Sequence, residues 1–162
     1  MHYSNLLHQT RLGLAIGGDV PWLWPAFETL HFVGMALLIG CVGALDLRIL
    51  GVGKALPFSP MHRLVPWGIL GFAINFTTGV GFYLGNPSQY QSWAFAAKVL
   101  FILLAGANAV LFYTTGLKRQ LDPIGAGEDA PFNAKVMAMG SLFLWFGVIF
   151  WGRMLSSFTS FF

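Results

Sequence analysis

Charge is what this 162-residue chain has least of. Asp, Glu, Lys and Arg make up 9% of it, where an ordinary soluble domain carries roughly 25%. With 56% apolar residues and a mean hydropathy of +0.68, the chain is not disordered, because disordered segments stay unfolded through polarity and charge. Cysteine is nearly absent. Cys41 stands alone within an apolar run, which excludes a disulfide-built scaffold. Glutamate is almost as scarce, with Glu28 and Glu128 the only two. A carboxylate di-iron bundle needs two Glu-x-x-His pairs and further Glu, so Glu28-x-x-His31 cannot be half of one. No nucleophile–base signature, phosphate loop or zinc-spaced pair is present. The net charge of +3 is dispersed along the chain and not gathered into a patch, which argues against nucleic acid as a partner. An integral membrane protein is what remains.

What the chain does have is long apolar runs. Crossing a bilayer as a helix takes about 20 mostly apolar residues, and four stretches qualify: Ala26–Leu50, Pro60–Leu84, Gln91–Gly116 and Phe132–Phe158. Turn residues separate them: Gly51-Val-Gly53 with Pro57 and Ser59-Pro60, then Gly85-Asn-Pro87, then Asp122 to Gly127. Pro60 suits the first turn of the second helix, with Ser59 as its cap. The short connection between the second and third helices predicts a tight hairpin. Asp19, Pro21 and Pro25 interrupt the first 25 residues, so these are not a signal peptide. Residues 3–16 are expected to form an amphipathic helix in the membrane interface, with Trp22 and Trp24 at headgroup level. The fold class is therefore all-α: an integral membrane four-helix bundle over 26–158, preceded by an interfacial segment over 1–25.

Lys and Arg set the expected direction of insertion. The first-to-second and third-to-fourth connections with their helix ends hold Arg48, Lys54, Arg63, Lys118, Arg119 and Lys135; the opposite side holds Arg11, Lys98 and Arg153. Six against three puts the connections in the cytoplasm and both termini outside, in a bacterial inner membrane.

Ionisable groups within the hydrocarbon cost at least about 2.5–3.5 kcal/mol each, so each calls for a reason. Glu28 and His31 sit in the first turns of the first helix, and Lys98 lies early in the third. Both helices start on the same side, so His31 and Lys98 share a layer roughly 8–10 Å deep at about 1.5 Å per residue. On a helical wheel Glu28, Met35, Leu38, Val42 and Asp46 lie within about 60° of His31. Ala94, Ile102, Ala105 and Ala109 flank Lys98 as a small-residue groove. Gly68, Gly71, Asn75 and Gly79 share a face of the second helix, where a backbone or a flat ligand can come close. Each has a plainer reading: helix packing for the glycines, snorkelling for Lys98, a dipole-stabilising first-turn acid for Glu28, a buried polar group for His31. Asp46 and Arg48 are expected to form an interfacial ion pair. His62 with Arg63 is read as an interfacial anchor on the other side of the membrane, although a second metal site at His62 stays open.

Haem b fits this pattern best. His31 supplies an axial nitrogen, Lys98 a cation for a propionate, and Glu28 a proton-carrying or supporting group. Asn75, Asn108 and Gly71 line the interior, and His8 or Met154 is the candidate second ligand. Electron transfer with a quinone or a redox protein would follow. Copper is the alternative, since Met1, His2, His8, His31, Met35 and Met154 lie on one side and suit it. A non-catalytic accessory subunit of a membrane complex is the third reading. The glycine seams and the small size of the chain suggest a homo-oligomer in the lipid bilayer.

The run Pro25-Ala-Phe-Glu28-Thr-Leu-His31-Phe-Val-Gly34, with Gly40, Asp46-Leu-Arg48-Ile-Leu-Gly51, Arg63-x-x-Pro66 and Phe95-x-x-Lys98-x9-Asn108, resembles a family of small bacterial four-helix membrane proteins of unknown function, the DUF6644 type. The resemblance covers the chain from about residue 20. More remotely, the early His of the first helix and early Lys of the third are similar to the HemJ-type membrane protoporphyrinogen oxidases and CopD-type copper-resistance proteins. The HemJ resemblance implies haem at His31 and a functional Lys98. Asn108 stands where that family has a Tyr-His pair, a departure that speaks against porphyrinogen oxidation and leaves haem binding open.

Overall fold

The computed structural model describes residues 9–158, apart from the side chains at 156 and 158. His2 and His8 lie outside the described residues. Four long helices, α1 (Leu23–Leu50), α2 (Phe58–Gly85), α3 (Trp93–Thr114) and α4 (Phe132–Phe158), are each long and apolar enough to cross a membrane. Among the described residues there is no strand. Their outer faces carry Phe32, Ile69, Leu103, Phe143 and Phe146 in exposed positions. Apolar area on that scale is tolerated only where lipid, not water, is the solvent. The chain is a multi-pass α-helical membrane protein.

Helix ends follow local chemistry. Pro25 is accommodated in the first turn of α1, where no intrahelical N–H partner is needed, so α1 begins three residues before the expected Ala26. It stops at Gly51, whose φ of +102° is left-handed. The Val52 N–H reaches back to the Leu47 carbonyl (2.9 Å) and the Gly51 N–H to that of Arg48 (3.1 Å); glycine is the residue that takes this closing turn without strain. α2 starts at Phe58 with Pro57 at its cap position, not Ser59. It tightens to a 3₁₀ turn over His62–Leu64 just ahead of Pro66, because a proline has no N–H to give and disfavours the α conformation before it.

The bundle is two helix pairs. α1 packs along α2, α3 along α4, and α1 also touches α4, whereas α2 and α3 barely meet. The expected tight hairpin is thus short in its connection and splayed in its helices. Its end is filled by aromatic rings, with Tyr90 5.1 Å from Phe95 and 5.8 Å from Tyr83, centroid to centroid. Burial pushes the Tyr90 phenol up to about 12.

Glycines set the pairing. A Cβ at Gly71 would lie 2.6 Å from the Leu38 nitrogen and 2.7 Å from the Gly34 oxygen, so the backbones of α1 and α2 are in contact there, the close approach small residues permit in lipid. Elsewhere rings lie on glycines: Phe27 on Gly81 in the first pair, Phe101 on Gly147 in the second.

Before α1, Arg11–Leu14 is helical, capped by Thr10, whose hydroxyl accepts from the Gly13 N–H (3.2 Å). A wider turn over Ala15–Asp19 follows, broken at Gly18 (φ +149°). The helical segment therefore runs past the expected end at residue 16. It docks on the hairpin end of α2, where Ile16 is fully buried beside Gly85.

At the opposite end Arg48 clasps the two other connections together. Its side chain is 1% exposed and donates to the carbonyls of Leu56, Gly125 and Glu128, with its guanidinium 4.1 Å from the Phe58 ring centroid. The expected ion pair with Asp46 is not formed. Two positions along a helix point to different faces, and Arg48 is turned to the loops while Asp46 is turned into the bundle.

Candidate functional site

His31 is half-buried on α1, and its Nδ1 lies 2.7 Å from Thr78 Oγ1 on α2. The Thr78 oxygen is also 2.7 Å from the Ile74 carbonyl. A carbonyl only accepts, so the hydroxyl proton is committed to Ile74. The atom facing Oγ1 from His31 must then be an N–H, which assigns the Nδ1–H tautomer and leaves the Nε2 lone pair available. Phe82 stands edge-on to the ring, centroids 5.4 Å apart.

Lys98 is on α3, half-buried, with its ammonium 3.6 Å from where a Cβ at Gly152 of α4 would be. It has no acidic partner among the described residues. Lys98 and His31 lie within electrostatic range of each other. Glu28 does not join them. It is exposed and accepts from Trp24 Nε1 (3.1 Å) one turn earlier on α1. Gly71 is taken up by the backbone seam, where Leu38 and Gly34 fill the space expected for a ligand. Asn75 is half-buried with Oδ1 enclosed and unpartnered. Met154 is half-buried on α4, two residues beyond Gly152.

Asn108 and His62 belong to a different place. A cavity of about 350 Å³ lies between the α1–α2 and α3–α4 pairs, starting at Leu38, two turns along α1 from His31. It opens where α2 and α3 diverge. Its polar groups are Asp46, His62, Asn108 and Ser141. Asn108 Nδ2 donates to the Met137 carbonyl (3.2 Å), tying α3 to α4. Ser141 is within hydrogen-bonding reach of the Asp46 carboxyl. His62 Nε2 sits 2.9 Å from Asp122 Oδ1 in the α3–α4 connection, close enough for an ion pair but without hydrogen-bond alignment. His62 is therefore held by that connection and faces the cavity as well.

Thr78 and Ser141 are the residues that sequence reasoning missed. Thr78 is seven positions after Gly71 and so returns to the same face of α2; that register was the available signal. Ser141 carried none. Among the described residues no group of three His, Cys, Asp or Glu could hold a metal ion. A porphyrin iron asks less of the protein, one axial nitrogen, and the Nε2 of His31 is of the type that would fit it.

The fold and these polar layers define a four-helix membrane protein with a histidine–lysine layer and a separate internal cavity. No protein-family model matches the chain, nor does any curated protein or solved structure.

Proposed function

We propose that the protein is a b-type haem protein of the bacterial inner membrane, passing electrons to or from a quinone or a redox protein. The observation that supports this reading is the chain His31–Thr78–Ile74. It orients the imidazole and protects the Nε2 lone pair in the way that a carbonyl- or hydroxyl-bound Nδ1–H does for metal-ligating histidines. His31 would hold the iron, and Lys98 would pair with a propionate. When bound, haem supplies a one-electron couple; the chain's own part is to fix the ligand tautomer, supply the cation and exclude water. The Lys and Arg distribution supports termini outside and the Arg48 clasp inside. A second copy of the chain is the expected companion, because four helices of this length leave most of α3 uncovered.

The test is an absorption spectrum of detergent-purified protein, air-oxidised and then dithionite-reduced, with metal analysis of the same sample. Resolved α and β bands on reduction, lost in His31→Ala, are expected. Full haem content and an unchanged spectrum in His31→Ala would overturn the assignment. Stoichiometric copper without haem would replace it with the copper reading, and neither group with the accessory-subunit one.

A further inference from the structure

We propose that the cavity between the two helix pairs is a binding site for a neutral, flat, lipophilic molecule of the quinone–hydroquinone class, reached sideways from the bilayer. The volume of about 350 Å³ is within the range of small-molecule sites. Its walls are aliphatic and aromatic, including Leu38, Val42, Val65 and Phe112, as a ring with an isoprenoid or alkyl tail requires.

The way in is visible from residues that belong both to the cavity and to the outer surface. Ile69 (64% exposed) and Phe72 on α2 face Tyr113 (46% exposed), Gly106 and Ala109 on α3 across the gap between these helices. Around that gap the surface is that of Leu70, Leu103 and Val110, all exposed and apolar. A molecule passing through it comes from lipid, not from water. Gly106 and Ala109 keep the α3 side of the gap low.

The clasp-side end of the cavity determines the head group. Asp46 Oδ2 and His62 Nδ1 are enclosed there without a hydrogen-bond partner, while His62 Nε2 has the Asp122 carboxylate beside it. Leaving such atoms unmet is costly, and a ligand carrying oxygen functions would meet them. Among the described residues no Lys or Arg lines the cavity, which disfavours a carboxylate or phosphate head. The nearest guanidinium, Arg48, is committed to loop carbonyls. A carboxyl and an imidazole at one end, with the Ser141 hydroxyl and Asn108 amide beside them, offer both donors and acceptors. That combination suits a ring carbonyl or hydroxyl. A lipophilic ammonium would suit Asp46 alone and leave the imidazole facing a cation.

The experiment measures binding of a fully ring-substituted benzoquinone with a ten-carbon chain, and of its hydroquinone, to the whole protein in lipid nanodiscs by equilibrium dialysis against empty discs. Binding is read without reference to haem, so its outcome is separate from the fate of the His31 assignment. Saturable binding near one molecule per chain is expected, weakened about tenfold or more by His62→Leu, the loss of one hydrogen-bonded anchor of a buried head. Because His62→Leu also disturbs the contact with Asp122, Gly106→Leu serves as the second variant. A Cβ there meets nothing within 4 Å, so it narrows the gap without disturbing the fold, and the same weakening is expected at an unchanged melting temperature. Absence of saturable binding, saturable binding that neither variant weakens, or tighter binding of decyltrimethylammonium than of the quinone would overturn the proposal.

Discussion

His31 Nδ1 and Thr78 Oγ1, 2.7 Å apart on adjacent helices, are linked by a hydrogen bond whose direction is settled by a third group. The Ile74 carbonyl takes the hydroxyl proton, so Thr78 is left to accept from the imidazole. In a membrane interior such a bond both joins α1 to α2 and selects one histidine tautomer.

Cutting that link tests the assignment without any cofactor. Thr78→Val keeps the shape of the side chain and removes the acceptor, so His31 should lose its single Nδ1–H form and populate both tautomers. Thr78→Ser should retain it. Nitrogen-15 spectra of histidine-labelled protein distinguish the two, and the valine variant should lose roughly 1 kcal/mol of stability. An unchanged tautomer in Thr78→Val would refute the directed chain.

The seam at Gly71 makes a steric prediction. Gly71→Ala drives a methyl against the Leu38 nitrogen and the Gly34 oxygen, backbone atoms that move only if the helices separate. A loss of roughly 1–3 kcal/mol is expected from overpacking, seen as a lower melting temperature in detergent. Gly106→Ala, which meets open space, should be neutral or slightly stabilising through helix propensity.

Arg48 should be irreplaceable by lysine. Its forked donors reach carbonyls of both connections while its flat face covers Phe58; a single ammonium does not do both. Arg48→Lys is expected to cost roughly 2 kcal/mol or more, the scale of a lost charge-assisted hydrogen bond. Proteolysis within 122–131 should also become faster in this variant. Equal protease resistance would show that the clasp contributes little.

A pH dependence follows from Asp129, which lies outside the spans. Hydrogen bonds from Lys54 (2.8 Å) and Lys135 (3.0 Å) hold its carboxyl at about 2, below its ordinary 3.8. A depressed value means the folded state favours the ionised form. The stabilisation is therefore present above about 4 and fades as pH falls toward 2. Asp129→Asn should lower the melting temperature slightly at pH 7. The gap to the parent protein should shrink between pH 4 and 2, and high salt should shrink it too, because these groups are exposed. A gap independent of pH would point to packing instead.

Much of the architecture was legible in the chain. Each span was found to within a few residues, and the largest difference at a start, at α1, arose because Pro25 is tolerated in a first turn. That His31 and Lys98 come within electrostatic range of each other also followed from counting residues inward from one side. The cavity did not. Asp46, His62, Asn108 and Ser141 come from four different helices, and no spacing along the chain brings them together.

The difference has a physical cause. Apolar length and turn residues act locally, so the sequence by itself determined that four helices cross the membrane and where they end. Which faces meet is another matter. In lipid the outward face of a helix is as apolar as the inward one, so the periodic contrast that reveals a core in water is missing. Only the tertiary structure decided that α1 pairs with α2 through Gly34 and Gly71, that α2 and α3 part, and that a polar-ended cavity lies in the space they leave.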